Sequence, residues 1–108
     1  MSVTDQRFVR VGKIGDLAAG RAEVFDVEDR KIAVYRLDDG YYAIDDLCTH
    51  DGGPLADGDI EGDQVICPRH GARFSIRTGA ALTFPAVTPV NSYPVRVEGE
   101  DLYVGLPD

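Results

Sequence analysis

Residues 31–44 read KIAVYRLDDGYYAI. A β-branched and apolar run, 31–37, meets a second run rich in aromatic residues, 41–44. Asp39-Gly40 lies between them, so the stretch reads as one antiparallel hairpin. Further short runs of this kind occur at 8–14, 22–27, 64–67, 73–76, 93–97 and 102–106. Turn signals separate them, at Glu28-Asp29, Thr78-Gly79 and Glu98-Gly99-Glu100-Asp101. Residues 93–106 read as a second hairpin around Gly99. The only helical expectation is one turn at Asp16-Leu17-Ala18-Ala19, stopped by Gly20. Many short strands at close spacing predict an all-β fold, an antiparallel β-sandwich or small barrel.

The chain has 108 residues, 12 glycines and 6 prolines, which suits a single turn-rich domain over 1–108. Its net charge of −8 argues against a nucleic-acid or anionic-membrane partner. It suits a partner with a basic docking patch, and equally suits solubility alone. No apolar run approaches the roughly 20 residues that span a bilayer. The opening MSVTDQRFVRVGK has no apolar signal-peptide core. A cytoplasmic location is the resulting expectation, and a reducing compartment disfavours a disulfide.

Residues 46–79 differ in character, being rich in glycine and loop formers, and read as an insertion on the β scaffold. They carry every cysteine and histidine the chain owns, two of each. Cys48 and His50 form a Cys-x-His pair. After sixteen intervening residues, Cys67 and His70 form a Cys-x-x-His pair. Concentrating all soft and imidazole ligands in two short clusters, CTHDGG and CPRHGA, points to a metal centre.

Two readings fit that donor set. One Zn²⁺ takes all four residues in a tetrahedral shell. A [2Fe–2S] cluster divides them, with two Cys on one iron and two His on the other. Spacing favours the cluster, because structural zinc sites usually pair like with like, whereas each loop here offers one Cys and one His. Gly52, Gly53 and Gly71 allow the backbone to approach closely and turn N–H groups toward sulfur.

The four-ligand motif is similar to the Rieske [2Fe–2S] signature. The likeness extends to Asp51-Gly52-Gly53-Pro54-Leu55-Ala56-Asp57-Gly58 after the first pair. It continues at Phe74 and Arg77-Thr78-Gly79 after the second. Pro85-Ala86 resembles the third, proline-bearing loop over the cluster, though Phe84 stands where the family often has glycine. The segment from Tyr93 to Gly99 resembles the usual terminal hairpin. The resemblance therefore implies a Rieske-like sandwich with a small cluster-binding subdomain inserted at about residues 46–79. It implies cluster-binding loops at about 46–56 and 66–79, with Cys48, His50, Cys67 and His70 as ligands. His50 and His70 are expected to be the outermost of these, facing a docking partner. Leu55, Phe74 and Pro85 are expected to shield the cluster.

Departures from the family's high-potential members refine the expectation. Respiratory-complex relatives have a disulfide where this chain has Gly53 and Arg69. They also have serine and tyrosine donors where it has Ala72 and Phe74. Fewer donors stabilise the reduced state less, so the expected potential lies near about −150 mV, the low end for Rieske centres. That profile resembles the ferredoxins of bacterial aromatic-ring dioxygenase systems. The implied role is a one-electron carrier between an NAD(P)H-dependent flavoprotein reductase and a terminal oxygenase. Docking is expected to be transient and the carrier monomeric.

A mononuclear oxygenase iron needs two more histidines and a carboxylate, and both histidines are already engaged. No G-x-G-x-x-G opens a helix for a nicotinamide or flavin cofactor. The chain is thus expected to be no enzyme by itself. The second functional expectation is a Rieske small subunit or accessory module of a reductase, such as an assimilatory nitrite reductase. Five acids between the ligand pairs, Asp51, Asp57, Asp59, Glu61 and Asp63, form either a docking patch or a solvated loop surface.

Overall fold

The computed structural model describes residues 7–46, 55–56, 58–68, 71–83 and 88–106. Among the described residues, ten strands form three antiparallel sheets. In chain order they are β1 (Arg7–Lys13), β2 (Ala22–Val27), β3 (Arg30–Leu37), β4 (Gly40–Asp45), β5 (Ile60–Glu61), β6 (Gln64–Ile66), β7 (Arg73–Ser75), β8 (Ser92–Tyr93), β9 (Val95–Glu98) and β10 (Asp101–Leu106). One sheet has the order β1-β10-β9, the second β2-β3-β4-β8, and the third β5-β6-β7.

The second sheet is the middle of the molecule, buried on both faces. Ile32, Val34 and Ala43 face a core shared with Leu102, Val104 and Leu106 of β10. Ala33, Tyr35 and Ile44 face a second core with Val65, Cys67 and Phe74 of the third sheet. This explains why Ile32-Ala33-Val34-Tyr35 is apolar without alternation: each of the four is 0% exposed. A strand covered on both sides needs apolar residues at odd and even positions alike. Tyr41 and Tyr42 show the same division, the first packing on one core and the second on the other.

The expected hairpins are present. β3 and β4 pair from Ile32↔Asp45 to Leu37↔Gly40. β9 and β10 pair from Val95↔Val104 to Glu98↔Asp101, leaving Gly99-Glu100 as the loop. Gly99 has φ +64, the left-handed value that a glycine-first two-residue turn requires. The expected insertion is a sheet of its own, packed on the outer face of the middle sheet.

Three expectations need correction. Residues 93–97 are not one strand. Tyr93 pairs with Ala43 in the middle sheet, while Val95 pairs with Val104 in the first. Pro94 stands between them without an N–H, and its carbonyl accepts from Gly105 N at 2.9 Å, so the chain changes sheets there. The helical turn falls earlier than expected, as a 3₁₀ turn over Ile14–Asp16 closed by Leu17 N donating to Ile14 O at 3.2 Å. Leu17 is 1% exposed, and burying it draws the chain inward before a helix can continue. The strand Ile60–Glu61 had no counterpart in the reading, because two residues carry no period. Among the described residues, no helix is long and apolar enough to cross a membrane.

Candidate metal centre

The second ligand pair lies on the connection between β6 and β7. Ile66 pairs with Arg73 at the end of the β6–β7 ladder. Cys67 N donates to Ala72 O at 2.7 Å, and Gly71 N donates back to Cys67 O at 3.0 Å. Gly71 closes this turn with φ +76, a conformation glycine adopts without penalty. Of the four ligand candidates, Cys67 alone falls within the described residues. It is 1% exposed and belongs to the core cluster that holds Leu55, Ala72 and Phe74. Cys48, His50 and His70 lie outside the described residues, as do Pro85, Phe84, Gly52, Gly53 and Arg69.

The first pair lies between Asp46 and Leu55, and the structure shows how those ends are joined. Asp46 Oδ1 accepts from Leu55 N at 2.8 Å and from Ala56 N at 2.7 Å. One carboxylate oxygen thus closes the base of the loop that carries Cys48 and His50. Gly58 N then donates to Leu55 O at 2.9 Å, and Gly58 lies so close to Ile66 that an added Cβ would sit 1.9 Å from its carbonyl oxygen. Ile66 precedes Cys67. The bases of the two loops are therefore packed backbone to backbone.

This frame suits a cluster with mixed thiolate and imidazole ligands. Cys67 is buried in an apolar wall with Leu55 and Phe74, both 0% exposed, which is where residues expected to shield a cluster would stand. Ala72, also 0% exposed, offers no side-chain donor.

The acids between the pairs divide. Glu61 accepts from Arg73 Nη1 at 2.8 Å, and Asp63 from Arg77 Nε at 3.1 Å, so these two are internal ion pairs. Asp59 is exposed, and Asp51 and Asp57 lie outside the described residues. Arg77 also reaches the β3–β4 turn, donating to Asp39 Oδ2 at 2.8 Å and Tyr42 Oη at 2.6 Å. That guanidinium holds the Asp39 carboxyl below its ordinary value. Gly58 and Arg77 stand in the family-like stretches of the sequence, but their contacts, like the acceptor role of Asp46, link residues far apart in the chain and leave no local pattern.

Fold and site together define a small antiparallel β module that presents a metal centre on two adjoining loops. The family model of the Rieske [2Fe-2S] domain matches residues 7–94. The chain belongs to that family, and its cofactor is a Rieske-type [2Fe–2S] cluster. A curated relative, the 3-phenylpropionate/cinnamic acid dioxygenase ferredoxin subunit of Escherichia coli (strain K12), is 38% identical over 96 residues. The match covers 88% of this chain and 90% of that relative. Among solved structures, the ferredoxin of carbazole 1,9a-dioxygenase from Nocardioides aromaticivorans IC177 superposes with a TM-score of 0.87 at 37% identity, covering 94% of this chain and 98% of that one. A ferredoxin seen in complex with the reduced oxygenase of carbazole 1,9a-dioxygenase has a TM-score of 0.85 at 31% identity, over 94% of both chains. A putative nitrite reductase small subunit from Mycobacterium tuberculosis shares the fold, with a TM-score of 0.85 at 22% identity, over 95% of this chain and 97% of that one.

Proposed function

We propose that this chain is the ferredoxin of a multicomponent oxygenase, carrying single electrons from an NAD(P)H-dependent flavoprotein reductase to a terminal oxygenase that hydroxylates an aromatic ring. The observation that carries this reading is the near end-to-end likeness to ferredoxin components, 90% of one relative's length and 98% of another's. The whole of 1–108 is read as one Rieske domain, working in the cytoplasm as a monomer that docks transiently.

Cys48 and Cys67 would hold one iron and His50 and His70 the other. The bound cluster takes up and releases one electron. The chain's own residues do the rest. Asp46 and Gly58 hold the loop bases together, so ligands on the two loops keep one spacing whatever the charge on the metal. Leu55, Phe74 and Ala72 keep water from the Cys67 thiol. With neither serine nor tyrosine at positions 72 and 74, the reduced state is weakly stabilised, which supports a potential near about −150 mV.

Purified protein should be coloured, contain iron and labile sulfide, and be reduced by a flavoprotein reductase with NAD(P)H. It should then drive turnover of a terminal oxygenase at substoichiometric amounts. Cys48→Ala should purify colourless. Zinc in place of iron would overturn the site. Purification only as a fixed complex with a nitrite reductase would overturn the carrier reading in favour of a bound small subunit, which the shared fold alone supports.

A further inference from the structure

Among the described residues, one buried side-chain polar atom has no hydrogen-bond partner, the Tyr35 hydroxyl. Tyr35 is 0% exposed, in the middle of β3. Leaving a donor unpaired there is costly, and folded proteins rarely retain one without a role. Phenylalanine would fill the same space without that cost. The alternation of β3 sends Tyr35 to the face of the middle sheet that packs against the insertion. It belongs there to the same buried core cluster as Cys67, Ala72, Phe74 and Leu55.

The hydroxyl also lies near the base of the first loop. Burial raises the phenol's pKa above its ordinary value, and the Asp46 carboxylate raises it further. The group is thus a neutral O–H, a donor and not a phenolate. Asp46 does not receive that proton: the hydroxyl has no hydrogen-bond partner, and Asp46 Oδ1 accepts from Leu55 N and Ala56 N instead. The donor therefore sits unused in an apolar wall shared with a ligand cysteine and with the closure of the other ligand loop.

We propose that the Tyr35 hydroxyl donates a hydrogen bond to a sulfur of the cluster, thiolate or bridging sulfide, and so favours the reduced state. This rests on the Rieske reading above. The electron added on reduction spreads onto sulfur, and a donor aimed at sulfur strengthens as that charge grows. Tyr35 then supplies from the middle sheet a donor that positions 72 and 74 do not, and lifts the potential above the value the ligand loops alone would set.

The test is a redox titration of holoprotein whose iron and sulfide content has been measured. Tyr35→Phe should keep the colour and lower the midpoint. A reduced-to-oxidised ratio up to about tenfold smaller at fixed potential corresponds to a fall of up to about 59 mV for one electron. Replacing Tyr35 alone with 3-fluorotyrosine, a more acidic and stronger donor, should raise the midpoint. A fully loaded Tyr35→Phe protein with an unchanged midpoint would overturn the assignment and leave the Rieske reading intact. If Tyr35→Phe fails to fold, the fluorotyrosine protein decides, and an unmoved midpoint there also overturns it. A wild-type protein without iron would remove the Rieske reading, and this inference with it.

Discussion

Among the described glycines, Gly58 is the one whose added Cβ would come nearest another atom. Its Cβ would stand 1.9 Å from the Ile66 carbonyl oxygen and 3.2 Å from that of Leu55, and both are backbone atoms that cannot swing away. Gly58→Ala should cost about 3 kcal/mol by overpacking, which for a domain this size lowers the melting temperature by more than about 10 °C. Because Ile66 leads into Cys67, iron retained per chain should fall as well. Calorimetry and iron analysis check the two effects. Asp46 allows a cleaner dissection. Asp46→Ala removes the acceptor for Leu55 N and Ala56 N and should cost about 2 kcal/mol. Asp46→Asn keeps an oxygen there and should recover most of it. If the two variants melt alike, the loop base is held by something other than that oxygen. Neither contact was legible beforehand, although Gly58 ends the family-like stretch after the first pair. A carboxylate that accepts from backbone nine residues ahead, or a glycine pressed on a neighbouring strand, leaves no period or spacing in a sequence. The candidate cysteines and histidines stand out in the sequence because metal chemistry restricts both residue type and spacing.

At the scale of elements, hydrophobic pattern and turn chemistry foretold most of the sheets. Glu28-Asp29 marked the β2–β3 turn, and both residues adopt positive φ, +50 and +69. Asp39-Gly40 marked the β3–β4 turn and Gly99 the β9–β10 turn. Apart from the two-residue β5, what the pattern missed was pairing partner rather than strand existence. Residues 93–97 were seen as extended, but only the missing N–H of Pro94 and the register of Tyr93 on Ala43 show that the chain changes sheets. Attachment of the insertion to the scaffold also depends on pairs far apart in sequence. Arg77 joins Asp63 of the β5–β6 turn to Asp39 of the β3–β4 turn. Arg7 likewise joins β1 to Glu28 through a bidentate contact of 2.9 and 2.7 Å. Hydrogen bonding from these arginines holds the carboxyls of Asp39 and Glu28 below their ordinary values. A depressed folded-state pKa contributes stability that is complete above the unfolded value, about 4, and is lost as pH falls through the lower folded value. Arg77→Met should therefore flatten the stability decline below about pH 4 and lower stability at neutral pH. It should leave the visible spectrum unchanged. The contacts are solvent-exposed, so added salt should shrink the difference between variant and wild type. Acid titration followed by circular dichroism, at low and high salt, measures both.

Over the whole molecule, a net charge of −8 is spread on a body whose principal extents are 37 × 33 × 24 Å. Such a field attracts a basic docking face over a distance comparable to the molecule's own radius when salt is low. The screening length falls from about 30 Å at 0.01 M to about 8 Å at 0.15 M ionic strength. The second-order rate of reduction by a partner reductase should therefore fall with salt, by about tenfold or more over that range if steering dominates. The structure also sorts the acids near the cluster loops. Glu61 and Asp63 are engaged by Arg73 and Arg77, so their field is partly cancelled at source. Asp59 is exposed at the start of the third sheet, beside the base of the first loop. Asp59→Asn should slow reduction at low salt and have no effect at high salt, because neutralising a steering charge alters encounter and not the electron-transfer step. Stopped-flow reduction over an ionic-strength series separates the two. A rate that rises with salt would mean that the partner approaches with an acidic face, and that the protein's charge opposes docking.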